Sequence, residues 1–198
     1  MSPAYLALAA ERGSVRSELY GQPEDHGYDF TSWVSPYTKG ANTCGGVALV
    51  LQDWASAEGL GATPHPEIQL HGRAPWLLTN KRLQELLGRV LGTDLSGIYV
   101  TNVFPFVKRG RMSAPLPYSE VLSAARRFAV RELELARPTT VLALGTVASQ
   151  ALRKCGVPAI SVPHPAARIG GIAAHEAAWR AALQSSGVTE LAERGAVV

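Results

Sequence analysis

Four short stretches of the chain, residues 46–51, 98–103, 140–144 and 159–162, are almost unbroken in Val, Ile, Leu, Ala and Tyr. Apolar runs without polar alternation are what parallel strands look like when both faces of their sheet are covered. The segments between them carry a helical period instead. Leu77, Leu78, Leu83, Leu86, Leu87 and Val90 predict a helix over 76–91. Ser119 is placed to cap a second helix over 119–136, which Arg137-Pro138 ends. A third, 146–155, follows Gly145 and stops before Gly156 and Pro158, and a last one covers 172–183. Strand and helix alternate four times. That order predicts an α/β fold, a three-layer sandwich with a central four-stranded parallel sheet flanked by helices. Residues 1–40 read as a helical stretch and then an arm rich in Pro, Gly and aromatic residues, and the whole of 1–198 is expected to form one domain.

In sheets of this kind ligands bind at the carboxyl ends of the strands. Gln52 and Asp53 follow the first run, and Asn102 lies at the end of the second. Gly145 and Thr146 open a helix after the third, and His164-Pro165 follows the fourth. A carboxylate, an amide, a helix N-terminus and an imidazole are therefore expected on one rim.

Composition narrows the class. The chain has 198 residues, 46% hydrophobic and 18% charged, which argues against intrinsic disorder. No apolar stretch is long enough for a membrane span, and the N-terminus lacks the basic region of a signal peptide, so a cytoplasmic protein is expected. Two cysteines, Cys44 and Cys155, exclude a disulfide scaffold and any four-cysteine zinc or iron–sulfur site. His26, His65 and His71 have no metal-ligand spacing, and no metal is expected. The net charge is only +3, so its distribution matters more than its size. The densest basic cluster is Lys108-Arg109-Gly110-Arg111, which Pro115 and Pro117 mark as part of a surface loop.

The rim residues sit in recognisable surroundings: Leu51-Gln52-Asp53-Trp54-Ala55, His71-Gly72-Arg73-Ala74, Tyr99-Val100-Thr101-Asn102-Val103, Val141-Leu142-Ala143-Leu144-Gly145 and His164-Pro165-Ala166-Ala167-Arg168. In that order, over residues 44–183, they resemble the motifs of the uracil-DNA glycosylase superfamily. The likeness is strongest to its bacterial and archaeal branches, whose four-cysteine cluster this chain cannot hold. The resemblance implies a cofactor-free, monomeric enzyme that hydrolyses the N-glycosidic bond of deoxyuridine in DNA and releases uracil, the first step of base-excision repair. It implies that Asp53 stabilises the sugar cation and handles the attacking water, and that His164 donates to O2 of the departing base. Asn102 is implied as the reader of the O4 and N3–H edge, because an amide offers one donor beside one acceptor.

Further roles follow by the same resemblance. Gln52, Trp54, Ala55 and His71 are expected around the base, with His71, Trp54, Phe104 or Phe106 as its stacking partner. Arg168 or Ile169 is expected to wedge into the gap left by the flipped nucleotide, and Lys108, Arg109 and Arg111 to contact phosphates. Tyr28, Trp33 and Tyr37 are expected to pack in the core rather than touch DNA. The sequence departs from the family pattern in Leu51 and Trp54, where Gly and Pro are usual, and in Ala55, where the strictest branch has Tyr. A methyl-sized side chain there cannot block a C5 substituent, so a broader base range is expected. No lysine lies within the motifs, which predicts no strand cleavage. Two other readings stay open: a sibling glycosylase for hypoxanthine or xanthine, and a non-catalytic nucleic-acid-binding module. A nucleotide enzyme with a Gly-rich phosphate loop is excluded because the loop is missing.

Overall fold

The computed structural model describes residues 2–38 and 45–187; Cys44 and the Lys39-Gly40 end of the arm lie outside them. Helix α1 (Pro3–Ser14) and the two-residue strand β1 (Tyr20–Gly21) come first. The remaining elements are β2 (Val47–Ser56), α2 (Ala57–Leu60), α3 (Pro66–His71), α4 (Leu78–Leu86), β3 (Tyr99–Lys108), α5 (Tyr118–Ala124), α6 (Val130–Ala136), β4 (Thr140–Leu144), α7 (Thr146–Lys154), β5 (Ile160–Val162) and α8 (Ile172–Ser185). One wide π turn, Leu87–Leu91, lengthens α4, and another, Ala125–Ala129, joins α5 to α6.

The sheet runs in the order β1-β3-β2-β4-β5. The four predicted strands are parallel, and β1 adds a short antiparallel edge against the end of β3. Side chains alternate across β2. Leu49 and Leu51 join Leu83, Leu86, Leu87 and Trp179 in one layer, while Ala48 and Val50 join Val103, Phe128 and Leu152 in the other. The fold is the α/β sandwich read from the sequence. Because β2 leaves to β3 on one side and to β4 on the other, the switch point where such sheets bind ligands lies at its carboxyl end.

Two strand ends differ from expectation, and both shape that switch point. β2 continues through Gln52-Asp53-Trp54 to Ser56, and β3 continues through Pro105 to Lys108. They stay paired because the register slips between Asp53↔Phe104 and Ala55↔Val107, two residues on one strand against three on the other. Pro105 lies within that slip, where its missing N–H disrupts no regular ladder. The bulge also breaks the alternation. Val103, Phe104 and Phe106 all face one layer, and Val107 the other.

The arm closes the structure over the sheet edge. Ser35 and Thr38 hydroxyls donate to the Val100 carbonyl at 2.5 and 2.8 Å, and Val100 N–H donates to Thr38 Oγ1 at 2.9 Å. These bonds satisfy the part of β3 that β1 does not reach, protecting an open edge. Tyr28, Trp33 and Tyr37 are buried in the layer that holds Leu49 and Leu51. A buried charge cluster fastens the arm from the other side of the sheet. Arg12 on α1 pairs with Glu132 on α6 at 3.1 Å and donates to the carbonyls of Val34 and Trp33 at 3.0 and 3.2 Å. Glu132 also accepts from the hydroxyls of Tyr99, at 3.0 Å, and Thr101.

Candidate active site

A cavity of about 640 Å3 opens at the switch point. The end of β2 contributes Gln52, Asp53, Trp54 and Ala55, the β4–α7 junction contributes Gly145 and Thr146, and the turn after β5 contributes His164. Gly145 makes this convergence possible. Its φ is +86°, and a Cβ there would lie 3.2 Å from His164 Cβ, so the chain can turn into α7 with the imidazole packed close above it. Helix α7 then presents its N-terminus, the positive end of its dipole, to the cavity.

Asp53 is mostly buried, its side chain 11% exposed, and its Oδ2 lies 2.9 Å from the ammonium of Lys108. Lys108 is itself buried and also donates to the Met112 carbonyl. This corrects two expectations. Lys108 does not lie on a surface loop in reach of phosphates, because β3 runs on past the bulge and turns its side chain inward. A lysine does stand at the candidate site, although none occurs within the motifs.

His164 is held from three sides. Ala166 N–H donates to its Nδ1 at 3.2 Å. The indole of Trp179 on α8 donates to the preceding Pro163 carbonyl at 2.9 Å, and Arg82 on α4 to the following Pro165 carbonyl at 3.2 Å. A backbone donor on Nδ1 fixes the neutral tautomer with its proton on Nε2. Burial pushes the ring below its ordinary 6.5, and the neighbouring Asp53 charge opposes this without reversing it. Protonation would set two N–H groups against each other at Ala166. The ring is thus kept as a neutral donor.

Asn102 does not line the cavity. It is fully buried in mid-strand, and neither its Oδ1 nor its Nδ2 has a hydrogen-bond partner. Its register partner is Leu51, which does line the cavity, so both side chains lie on one face of the sheet. The amide therefore sits beside the cavity floor. Leaving such a group unpaired costs roughly 1–3 kcal/mol.

The other expected residues divide. Trp54 forms wall rather than a free stacking plate: its indole N–H donates to the Gly72 carbonyl at 2.7 Å, and Phe30 and Tyr28 pack edge-on to its ring. Phe104 and Phe106 belong to the opposite layer with Tyr20 and Phe128. His71 pairs with Glu67 at 3.3 Å on α3, off the cavity. Arg109, Arg111, Arg168 and Ile169 are exposed, with Arg111 near Glu58 at 3.7 Å. Tyr37, Arg73 and Asn80 line the cavity but were not picked out as site residues, although Arg73 stands in one of the quoted motifs.

An acid and an imidazole thus share one cavity at the carboxyl rim of a mostly parallel α/β sheet. The family is shown by sequence as well: residues 58–183 match the model of the uracil DNA glycosylase superfamily, and the chain belongs to it. It thus carries a domain of a DNA-acting glycosylase family. The match includes Arg73, Asn102 and His164 and begins just after Asp53, whose place at the site rests on the geometry. No curated protein matches the chain. Among the described residues no helix is long and apolar enough to cross a membrane.

Proposed function

We propose that the protein hydrolyses the N-glycosidic bond of deoxyuridine in DNA and releases uracil. The observation that carries this is the shared lining of one cavity by Asp53 and His164. The substrate nucleotide leaves the duplex stack and enters the cavity base first. As the C1′–N1 bond breaks, positive charge grows on the sugar and negative charge on the base. Asp53 faces the first, and with Oδ2 held by Lys108, Oδ1 is the oxygen that orients water and takes its proton. The Nε2–H of His164 faces the second at O2, and the α7 dipole favours the same charge. Water adds its oxygen to C1′, and uracil leaves as the N1 anion to be protonated by solvent. Asn102 is the proposed base reader: its two unpartnered atoms match a pyrimidine edge with one acceptor and one donor, and the cavity wall beside Leu51 must open for the two to meet. Arg168 and Ile169 are the residues to fill the vacated stack, and Arg109 and Arg111 to meet phosphates.

The test is release of uracil from a uracil-containing oligonucleotide, read as alkaline strand cleavage under single-turnover conditions, with a thymine oligonucleotide as control. His164→Ala is expected to slow release by about 10²–10³-fold, the effect of losing one aligned donor. Absence of uracil release by the wild-type protein would sink the proposal.

The place of Lys108 bears on the outcome at the sugar. Its Nζ is taken up by the Asp53 carboxylate and the Met112 carbonyl, so it is not free to attack C1′. Hydrolysis without strand cleavage is expected, so borohydride added during turnover traps no protein–DNA adduct. A trapped adduct that disappears in Lys108→Met would instead make this a lyase.

A further inference from the structure

The mouth of the cavity carries exposed apolar side chains that the hydrolysis does not use. Leu77 and Met112 line the cavity and are also open to solvent. Trp76 and Leu78, on either side of Leu77 in the chain, are exposed as well. Large apolar groups gathered on one surface mark a place where something binds, whereas the same groups scattered singly would not.

Trp76 is exposed but not loose. It is the third residue of a turn closed by Leu77 N–H, which donates to the Ala74 carbonyl at 3.2 Å, and Pro75 at the second position presets the backbone of that turn. His65 backs the indole, with 4.2 Å between ring centroids and 52° between the planes. His65 is itself pinned at the start of α3. Its Nδ1 accepts from Glu67 N–H at 3.2 Å, and its own N–H donates to the Tyr28 hydroxyl at 2.9 Å. The indole is thus braced by a fixed ring while 44% of the residue stays in water.

A cation stands beside this plate. Lys81 follows Leu77 by one turn of α4, its N–H bonded to the Leu77 carbonyl at 3.0 Å. It is exposed, and among the described residues no carboxylate lies within ion-pair distance of it. Arg82, the next residue, donates to the Pro165 carbonyl at 3.2 Å and so ties the start of α4 to the loop that carries Arg168 and Ile169. An aromatic plate next to an unpaired cation suits a nucleotide, base on the ring and phosphate on the charge. In a duplex the face of each base is covered by its neighbours, so only a base outside the stack has a face to offer. We infer that Trp76 is a stacking platform for an unpaired base beside the extruded nucleotide, and that the protein takes uracil from single-stranded DNA in preference to an intact duplex. The inference rests on the glycosylase reading and adds the class of DNA on which it acts.

The experiment compares one uracil-containing sequence as a single strand and as a full duplex with adenine opposite, below saturation, for wild type, Trp76→Phe and Trp76→Ala. Wild type is expected to release uracil from the single strand at least about tenfold faster. In Trp76→Ala the ratio of single-strand to duplex rates is expected to fall by about 5–100-fold, the loss of one base–aromatic stack, while Trp76→Phe keeps a ring and most of the ratio. A further single strand with abasic residues on both sides of uracil offers no base to stack. On it wild type is expected to drop to the rate of Trp76→Ala, and Trp76→Ala to lose nothing more. A rim that serves a protein partner, or a merely structural role for Trp76, would leave the ratio unmoved. An unmoved ratio, a wild type without single-strand preference, or an equal loss on the abasic strand in both proteins overturns the inference alone. Release of uracil from none of these substrates overturns the glycosylase reading and the inference together.

Discussion

Asp53→Asn is expected to slow uracil release by about 10²–10⁴-fold, the range for loss of a positioned general base. The amide keeps the shape of the side chain but can neither take a proton from water nor oppose the growing sugar cation. The substitution has a second consequence, because the buried ammonium of Lys108 loses its counter-charge. Removing one partner of a buried pair typically costs about 3–5 kcal/mol. The loss of rate could therefore be confused with a loss of fold. Asp53→Asn combined with Lys108→Met separates them, since it removes both charges and leaves no stranded cation. The double variant is expected to recover most of the thermal stability and none of the activity. If the double variant released uracil at the wild-type rate, Asp53 would be a partner for Lys108 and nothing more.

The pairing of Asp53 with Lys108 also marks the limit of what the sequence discloses. The strand interiors were legible because Val47–Leu51 and Tyr99–Val103 are covered on both faces and so read as apolar runs. His164 was legible as a residue past a strand tip, whereas Asp53 and Asn102, expected just past or at the ends of their strands, lie within β2 and β3. The strand ends were not legible. Gln52-Asp53 looks like a turn, and Pro105 followed by a basic run looks like a loop, so nothing local signals that β2 and β3 remain paired through Ser56↔Lys108. That pairing depends on a bulge, which is a relation between two distant segments and leaves no period in either. The Tyr37–Asn80 contact is invisible for the same reason: it joins an irregular arm to a helix 43 positions further along the chain. Arg73 shows how a motif can be seen without its place being seen. The residue was in view, but its burial in the cavity wall is a property of the fold.

Glu132→Ala is expected to destabilise the protein by about 3–5 kcal/mol. Glu132 is fully buried, and the alanine leaves Arg12 charged with only the carbonyls of Val34 and Trp33 for company. It also strips the Tyr99 and Thr101 hydroxyls of their acceptor. Burial raises the Glu132 carboxyl above its usual range, and Arg12 and the Thr101 and Tyr99 hydroxyls oppose that shift without reversing it. Breaking it from one side is therefore costly, while replacing both ions need not be. Arg12→Met with Glu132→Leu is expected to regain most of the loss, measured by urea denaturation followed through tryptophan fluorescence. A denaturation midpoint unchanged in Glu132→Ala would contradict this account. The effect should extend to the cavity, because the carbonyls that Arg12 holds belong to the arm that carries Tyr37 to Asn80. In the single variant Arg12 keeps its bonds to the arm but is no longer held by α6, and the cavity wall built by Tyr37 and Asn80 loosens with it. Tyr37→Phe removes the hydroxyl but not the anchor, so it is expected to disturb that wall with a much smaller change in the midpoint.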